Sequence, residues 1–142
     1  MFFFTVQCPI EKTGYFEVLG KCYFTDTIKR NFDHSQAHCE EIFPFGGRLY
    51  EPRDLATNAE VGKAHQKYHG NRSDAWIGIT DRISQGTYQY ASDNGHLTIS
   101  RWFSGEPNND GARCVVYGYG STGVWFDDYC SAQEFYFCER TY

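Results

Sequence analysis

Trp102-Phe103-Ser104-Gly105-Glu106-Pro107-Asn108-Asn109-Asp110-Gly111-Ala112-Arg113-Cys114 is the stretch on which the reading of this chain turns. Two oxygen-bearing side chains, Glu106 and Asn108, flank a proline, and a third, Asp127, comes later in Trp125-Phe126-Asp127 just before Cys130. Such groups suit a hard cation, which prefers oxygen ligands, and a cation with open positions can take sugar hydroxyls. Outside a framework the same residues have a plainer reading. Proline followed by asparagine is ordinary turn chemistry, and Asp127-Asp128 also reads as a solvated acidic pair.

Working outward, the segment from Ser92 to Asp110 is rich in Gly, Asn, Ser and Asp with little periodicity. A loop of that length is usually functional. It is embedded in strand texture: Ala75-Trp76-Ile77-Gly78-Ile79 reads as a buried strand and Thr87-Tyr88-Gln89-Tyr90 as a half-buried one. Cys114 to Tyr119, Val124 to Asp128 and Phe135 to Glu139 give three more, the first two joined through Gly120-Ser121-Thr122-Gly123. Tyr117, Tyr119 and Trp125 read as hairpin packing and core. Ahead of this lie two helical patterns. Asn31 to Phe43 carries an apolar stripe of Phe32, Ala37, Cys39 and Ile42 and is ended by Pro44 and Gly46-Gly47. A second helix is expected from Thr57, where Thr57-Asn58-Ala59-Glu60 has capping-box spacing, to about His69. A hairpin of Gly14–Val18 and Lys21–Phe24 around Leu19-Gly20 precedes both. Helices first and an antiparallel sheet after them make an α+β arrangement.

Composition limits the function classes. The 142 residues fit one domain, 1–142, with 41% hydrophobic and 18% aromatic residues. A net charge of -5 without a basic run argues against nucleic acid, and no apolar stretch nears the roughly 18 residues of a membrane span. Met1-Phe2-Phe3-Phe4-Thr5-Val6 is too short for a signal core and lacks a charged start; it reads as a strand, or as the new start left when a leader is removed. Six cysteines, Cys8, Cys22, Cys39, Cys114, Cys130 and Cys138, occur with no Cys-x-x-Cys pair. They read as a disulfide framework with 15 formal pairings and point to a secreted or extracellular protein. The Asn71-Arg72-Ser73 sequon fits that compartment. His34/His38 and His65/His69 are spaced four apart, but His65-Gln66-Lys67-Tyr68-His69 lacks the glutamate of a zinc protease helix. They read as solvent-facing helix residues. No nucleophile–base pair or phosphate-cradling glycine loop appears, so the chain reads as a non-enzyme.

Set together, these landmarks resemble the C-type lectin domain family over nearly the whole chain. The resemblance rests on Gly46-Gly47-Arg48-Leu49 after a cysteine-bearing helix, Trp76-Ile77-Gly78-Ile79, Trp102 before Glu106-Pro107-Asn108, Trp125 before Cys130, and the final Phe137-Cys138-Glu139. It implies two helices flanking antiparallel sheets with a long-loop region, and disulfides Cys39–Cys138, Cys114–Cys130 and an N-terminal Cys8–Cys22 hairpin. It also implies a cis Glu106–Pro107 bond, which turns the flanking side chains toward one point. One Ca2+ is implied at Glu106, Asn108 and Asp127, with vicinal sugar hydroxyls completing its shell; the Glu-Pro-Asn order goes with mannose-type sugars.

Departures from the family pattern weaken that single site. Phe126 stands where a second amide ligand belongs and Ala112 where an acidic ligand does. Asp110 or Asp128 is the expected substitute ligand, and Phe126 is a candidate to stack on the apolar face of a sugar. An auxiliary calcium site retains Asp81 and Asn109 but has Gln85 and Arg113 at carboxylate positions, and is expected to be empty. The resulting expectation is a secreted lectin for a mannose-type glycan, with avidity through a homo-oligomer although no heptads or collagen-like repeats supply one. The alternative is a lectin-like domain with a degenerate site that binds a protein, mineral or ice surface.

Overall fold

Leu19 and Gly20 both have positive φ, 48° and 81°, the left-handed geometry a two-residue hairpin needs. They join β1 (Tyr15–Val18) to β2 (Lys21–Phe24) with Val18 opposite Lys21. The computed structural model describes residues 7–70, 73–118 and 122–142. The expectations for Met1–Val6, for Asn71 and Arg72 of the sequon, and for Tyr119 and the start of its turn lie outside the described residues.

Helix α1 (Phe32–Ile42) begins at Asn31, whose side chain accepts the His34 amide at 2.9 Å. Its buried face is Phe32, Ser35 and Cys39, spaced three and four apart. Ala37, expected in that stripe, is exposed, since five residues of helix carry it about 140° from Phe32. Helix α2 (Leu55–His69) starts two residues earlier than expected because Asp54 takes the cap: its carboxylate accepts the Thr57 amide at 2.8 Å. Between them lies β3 (Gly47–Leu49), a strand that the glycine pair had disguised as a helix stop. Gly47 is required there: a Cβ would sit 2.1 Å from the Cys39 carbonyl oxygen.

The two sheets also draw on β4 (Ala75–Thr80), β5 (Gln89–Tyr90), β6 (Cys114–Tyr117), β7 (Trp125–Asp128), β8 (Phe135–Tyr136) and β9 (Cys138–Arg140). One runs β1-β2-β9-β3 and the other β5-β4-β6-β7, with β8 also on β4. The expected strand over Phe135–Glu139 is therefore two: β8 pairs parallel with β4, and β9 pairs antiparallel with β2 and β3. Fully buried Phe137 sits at the switch and ties the sheets into one core with Tyr23, Tyr50, Ile77, Tyr117 and Trp125. The disulfides are Cys8–Cys22, Cys39–Cys138 and Cys114–Cys130. Among the described residues no helix is long and apolar enough to cross a membrane.

Helix α2 is fastened to the second sheet by a buried polar knot. The Asn58 amide donates to the Gly123 carbonyl at 2.7 Å, while its oxygen accepts the Tyr117 hydroxyl at 2.9 Å and the Trp125 indole at 3.1 Å. Each buried donor is thereby satisfied, which a leucine at 58 would undo. Gly62 permits the approach, because a Cβ there would lie 2.4 Å from the Gly123 nitrogen.

His65 corrects the solvent-facing reading. It is fully buried between Tyr117 and Phe137, and among the described residues neither ring nitrogen has a hydrogen-bond partner. Burial pushes its pKa down to about 4, with the nearby Ser73 backbone opposing. His69, stacked on Phe135 and bonded to Thr25 Oγ1 at 2.7 Å, is likewise pushed down to about 4, by burial and then by His65. The folded pKa lies below the unfolded value of roughly 6.5, so the unfolded chain takes up these protons first. Stability is therefore present above pH about 6.5 and lost as pH falls toward 4. Of the order of 3 kcal/mol rides on His65, so in urea titrations at pH 7 and 4.5 His65→Phe should flatten the loss. Equal losses in both proteins would refute this.

Candidate functional site

Tyr90 roots the long loop. Its hydroxyl donates to the Pro52 carbonyl at 2.5 Å and accepts the Thr98 amide at 3.1 Å. The buried Glu51 carboxylate accepts the amide and hydroxyl of Ser92, both at 2.8 Å, and is neutralised by Arg53 at 2.8 Å. From this root the chain returns along β7: the Trp125 amide donates to the Arg101 carbonyl and the Phe103 amide to the Trp125 carbonyl, 2.8 and 3.0 Å. Trp102 packs edge-on to Trp125, with Tyr88 edge-on to Trp102. Two tryptophans thus fix where the loop leaves the sheet.

The next residues form the site. Gly105, at φ 86°, allows a turn in which the Glu106 amide reaches the Phe103 carbonyl at 2.9 Å, and the Glu106–Pro107 bond is cis. Asp127 lies beneath the loop, one carboxylate oxygen accepting the amides of Asn108 at 3.2 Å and Asn109 at 2.9 Å. Glu106 and Asp127 are brought side by side. Burial, then the hydrogen bond and charge of Asp127, push the Glu106 carboxyl up to about 7, and its Oε2 is buried with no hydrogen-bond partner among the described residues. Two crowded carboxyls with an orphaned oxygen are what a hard cation relieves, so these residues fit calcium.

Of the expected substitutes, Asp110 remains here, lining a cleft of about 50 Å³ with Asp81, Tyr88, Pro107, Asn109 and Asp127. Asp128 does not. Alternation along β7 sends it the other way, to within 4.8 Å of Asp74 and Glu134. There burial and then Asp128 push the Glu134 carboxyl up to about 9. Asn109 is also spoken for, its side chain bonding the Gly111 amide at 2.9 Å and the Tyr129 hydroxyl at 2.8 Å. Ala112 is buried and supplies only a carbonyl, to Tyr88.

Phe126 is half-buried, flanked by Phe103 and Gly118. Phe103 stacks on it at 4.8 Å and 19°, and a Cβ on Gly118 would lie 1.9 Å from its ring. The exposed member of the pair is Phe103, 45% accessible. Sequence reasoning passed over Phe103, although its place three residues before Glu106 was the available signal. It also missed the pairing of Arg113 with Asp81, whose Nε–Oδ1 distance is 2.7 Å.

Comparison with known proteins bears on the family and the fold. The sequence matches the family described as Lectin C-type domain over residues 28–140. It is 33% identical over 138 residues to CD209 antigen-like protein 2 of Macaca mulatta, covering 94% of this chain and 49% of that protein. It is 29% identical over 136 residues to C-type lectin domain family 17, member A of Homo sapiens, covering 95% and 32%. The chain thus spans a third to a half of these relatives' length. Among solved structures, the C-type carbohydrate-recognition domain of cow CD23, crystallised in the presence of a GlcNAc2Man3 oligosaccharide, superposes with a TM-score of 0.76 at 26% identity, covering 94% of this chain and 95% of that one. With two helices and two sheets among its described residues, three disulfides and the C-type lectin fold, this chain belongs to the C-type lectin domain family.

Proposed function

We propose that this chain is an extracellular carbohydrate-binding domain that takes one Ca2+ at Glu106, Asn108, Asp110 and Asp127 and, through it, a mannose-type glycan. The observation that carries the reading is the crowded carboxyl of Glu106, its Oε2 buried without a hydrogen-bond partner among the described residues, beside Asp127 under a cis Glu-Pro-Asn turn. Bound calcium would supply open positions for two neighbouring sugar hydroxyls. The chain's own groups then orient the sugar: carboxylate oxygens of Glu106 accept hydroxyl protons, and the Asn108 side-chain amide donates in return. With Phe126 at an amide position the shell has one protein ligand fewer, which lowers the affinity for the ion. Three disulfides support an extracellular setting.

The aromatic proposed for the apolar face of a sugar is Phe103, exposed at the edge strand β7 and stacked on Phe126 on the face opposite Asp127, where it meets a sugar that extends past the ion. Phe103→Ala should weaken glycan binding roughly 3- to 10-fold at saturating calcium. Unchanged affinity in a glycan titration would remove the aromatic contact from the site.

A thermal melt with calcium and then with chelator, paired with a glycan array under both conditions, tests the function. At calcium 100 times its dissociation constant, native-state binding adds about 2.7 kcal/mol, and array signals should vanish with chelator. Binding that survives chelation would overturn the metal route. No calcium shift and no glycan signal would favour the second reading, a lectin-like domain for a protein, mineral or ice surface, to which the half-buried Phe126 and the diverted Asp128 lend support.

A further inference from the structure

Asp81 comes directly after β4 and is 97% buried (3% accessible), so its carboxylate requires a cation or a full set of donors. Both are present, and both ends of one loop supply them. The Arg113 Nε donates to Asp81 Oδ1 at 2.7 Å, and Arg113 Nη2 donates to the Asp81 carbonyl at 2.6 Å. In the opposite direction the Asp81 amide donates to the Arg113 carbonyl at 3.1 Å. Asp81 Oδ2 accepts the Gly86 amide at 2.8 Å. The four polar positions of Asp81 are therefore filled, three of them by Arg113. One residue further in, the Tyr88 hydroxyl donates to the Ala112 carbonyl at 3.3 Å.

The consequence is mechanical. Residues 81 and 113 bracket the whole loop that carries Phe103, Glu106, Asn108 and Asp110. Asp81 itself lines the small cleft beside Asp110 and Asp127. Without Arg113 that cleft would hold three carboxylates, and their mutual repulsion would drive the loop outward. A guanidinium delivers its charge through a planar fork, so it fixes direction as well as distance. A lysine would deliver charge alone.

We propose that Arg113 is a positioning residue, a fixed internal cation that stands in for a second metal ion and holds the 81–113 loop closed in the metal-free protein. The pinning stands on geometry alone; only its relevance to glycan binding rests on the proposed function.

Amide hydrogen exchange of the full chain in chelator tests it, read at Gly86 and Asp81 against the amides of the β1-β2-β9-β3 sheet. In the wild-type protein Gly86 and Asp81 should be protected. Arg113→Gln should speed their exchange roughly 10-fold or more and leave the reference sheet unchanged, with Arg113→Lys between the two. Asp81→Asn combined with Arg113→Gln should recover part of the protection, because the damage in the single variant is an uncompensated carboxylate. The double variant also serves if Arg113→Gln alone does not fold. Gly86 exchange that is unaltered in Arg113→Gln would overturn the proposal. So would uniform acceleration across the chain with Lys no better than Gln, which would make Arg113 a general stability residue. A calorimetric calcium titration separates this from the proposed function: one ion per chain is expected, and two ions would overturn the stand-in role. Absence of any calcium binding would count against the glycan reading while the chelator exchange result stood.

Discussion

Replacing Cys39 and Cys138 together with alanine should lower the unfolding free energy by about 4 to 5 kcal/mol. The bridge closes a separation of 99 residues, and the entropy it removes from the unfolded chain grows with that length. Both sulfurs are fully buried where α1 meets β9, so the bridge also joins the first helix to the sheet that closes the domain. The comparison is internal. Cys8 and Cys22 are separated by only 14 residues, and their replacement should cost about 3 kcal/mol by the same estimate. Against the roughly 5–15 kcal/mol typical of a whole domain, the first change removes the larger share. Chemical denaturation of the two double variants decides it. Equal midpoints would mean that loop length is not what the long bridge contributes.

Asp127→Asn is the change with the largest expected effect on binding. One Asp127 oxygen holds the amides of Asn108 and Asn109 while the carboxylate faces Glu106. An amide in its place keeps an acceptor for the loop and loses the charge a cation requires. Calcium-supported glycan binding should fall at least about 100-fold, beyond the 10- to 100-fold typical of a residue that merely orients a metal ligand. The melting temperature in chelator should hold within a few degrees, because Asn relieves the repulsion with Glu106. Retention on immobilised mannan and a calcium titration are the readouts. A folded variant that still binds glycan with wild-type calcium dependence would move the site away from Asp127.

The landmarks that carried the fold in the sequence were local and chemically strict. Leu19-Gly20 demanded a hairpin, Trp76 and Trp125 demanded burial, and Glu106-Pro107-Asn108 demanded a turn with two oxygens on it. The structure has each. Misreadings occurred where one local signal competed with another a few residues away, or with a partner far along the chain. The box at Thr57 had the right spacing, yet Asp54, three residues earlier, takes the cap with its carboxylate on the Thr57 amide. Gly46-Gly47 looked like a stop, yet β3 forms there because β9 pairs with it from the far end of the chain. His65 looked like half of an exposed pair, and no helical pattern could reveal that Tyr117 and Phe137 cover it.

The sequence by itself carried the family resemblance, the α+β class and the presence of a disulfide framework, whose pairing came only with the resemblance, and it singled out Glu106, Asn108 and Asp127 as expected ligands, because those readings rest on residue type at local spacing. Tertiary structure alone decided which neighbours join them. Asp110 stays at the cleft while Asp128 leaves for Asp74 and Glu134, because adjacent residues of a strand point to opposite faces. Phe126 is half-buried and Phe103 left open, because Gly118 leaves room for the ring on one side and the returning loop stacks on the other. Arg113, which in the sequence is only a charge misplaced among carboxylates, becomes in the fold the cation that Asp81 requires. Such pairings depend on which segments the chain brings together, and spacing along the sequence does not encode that.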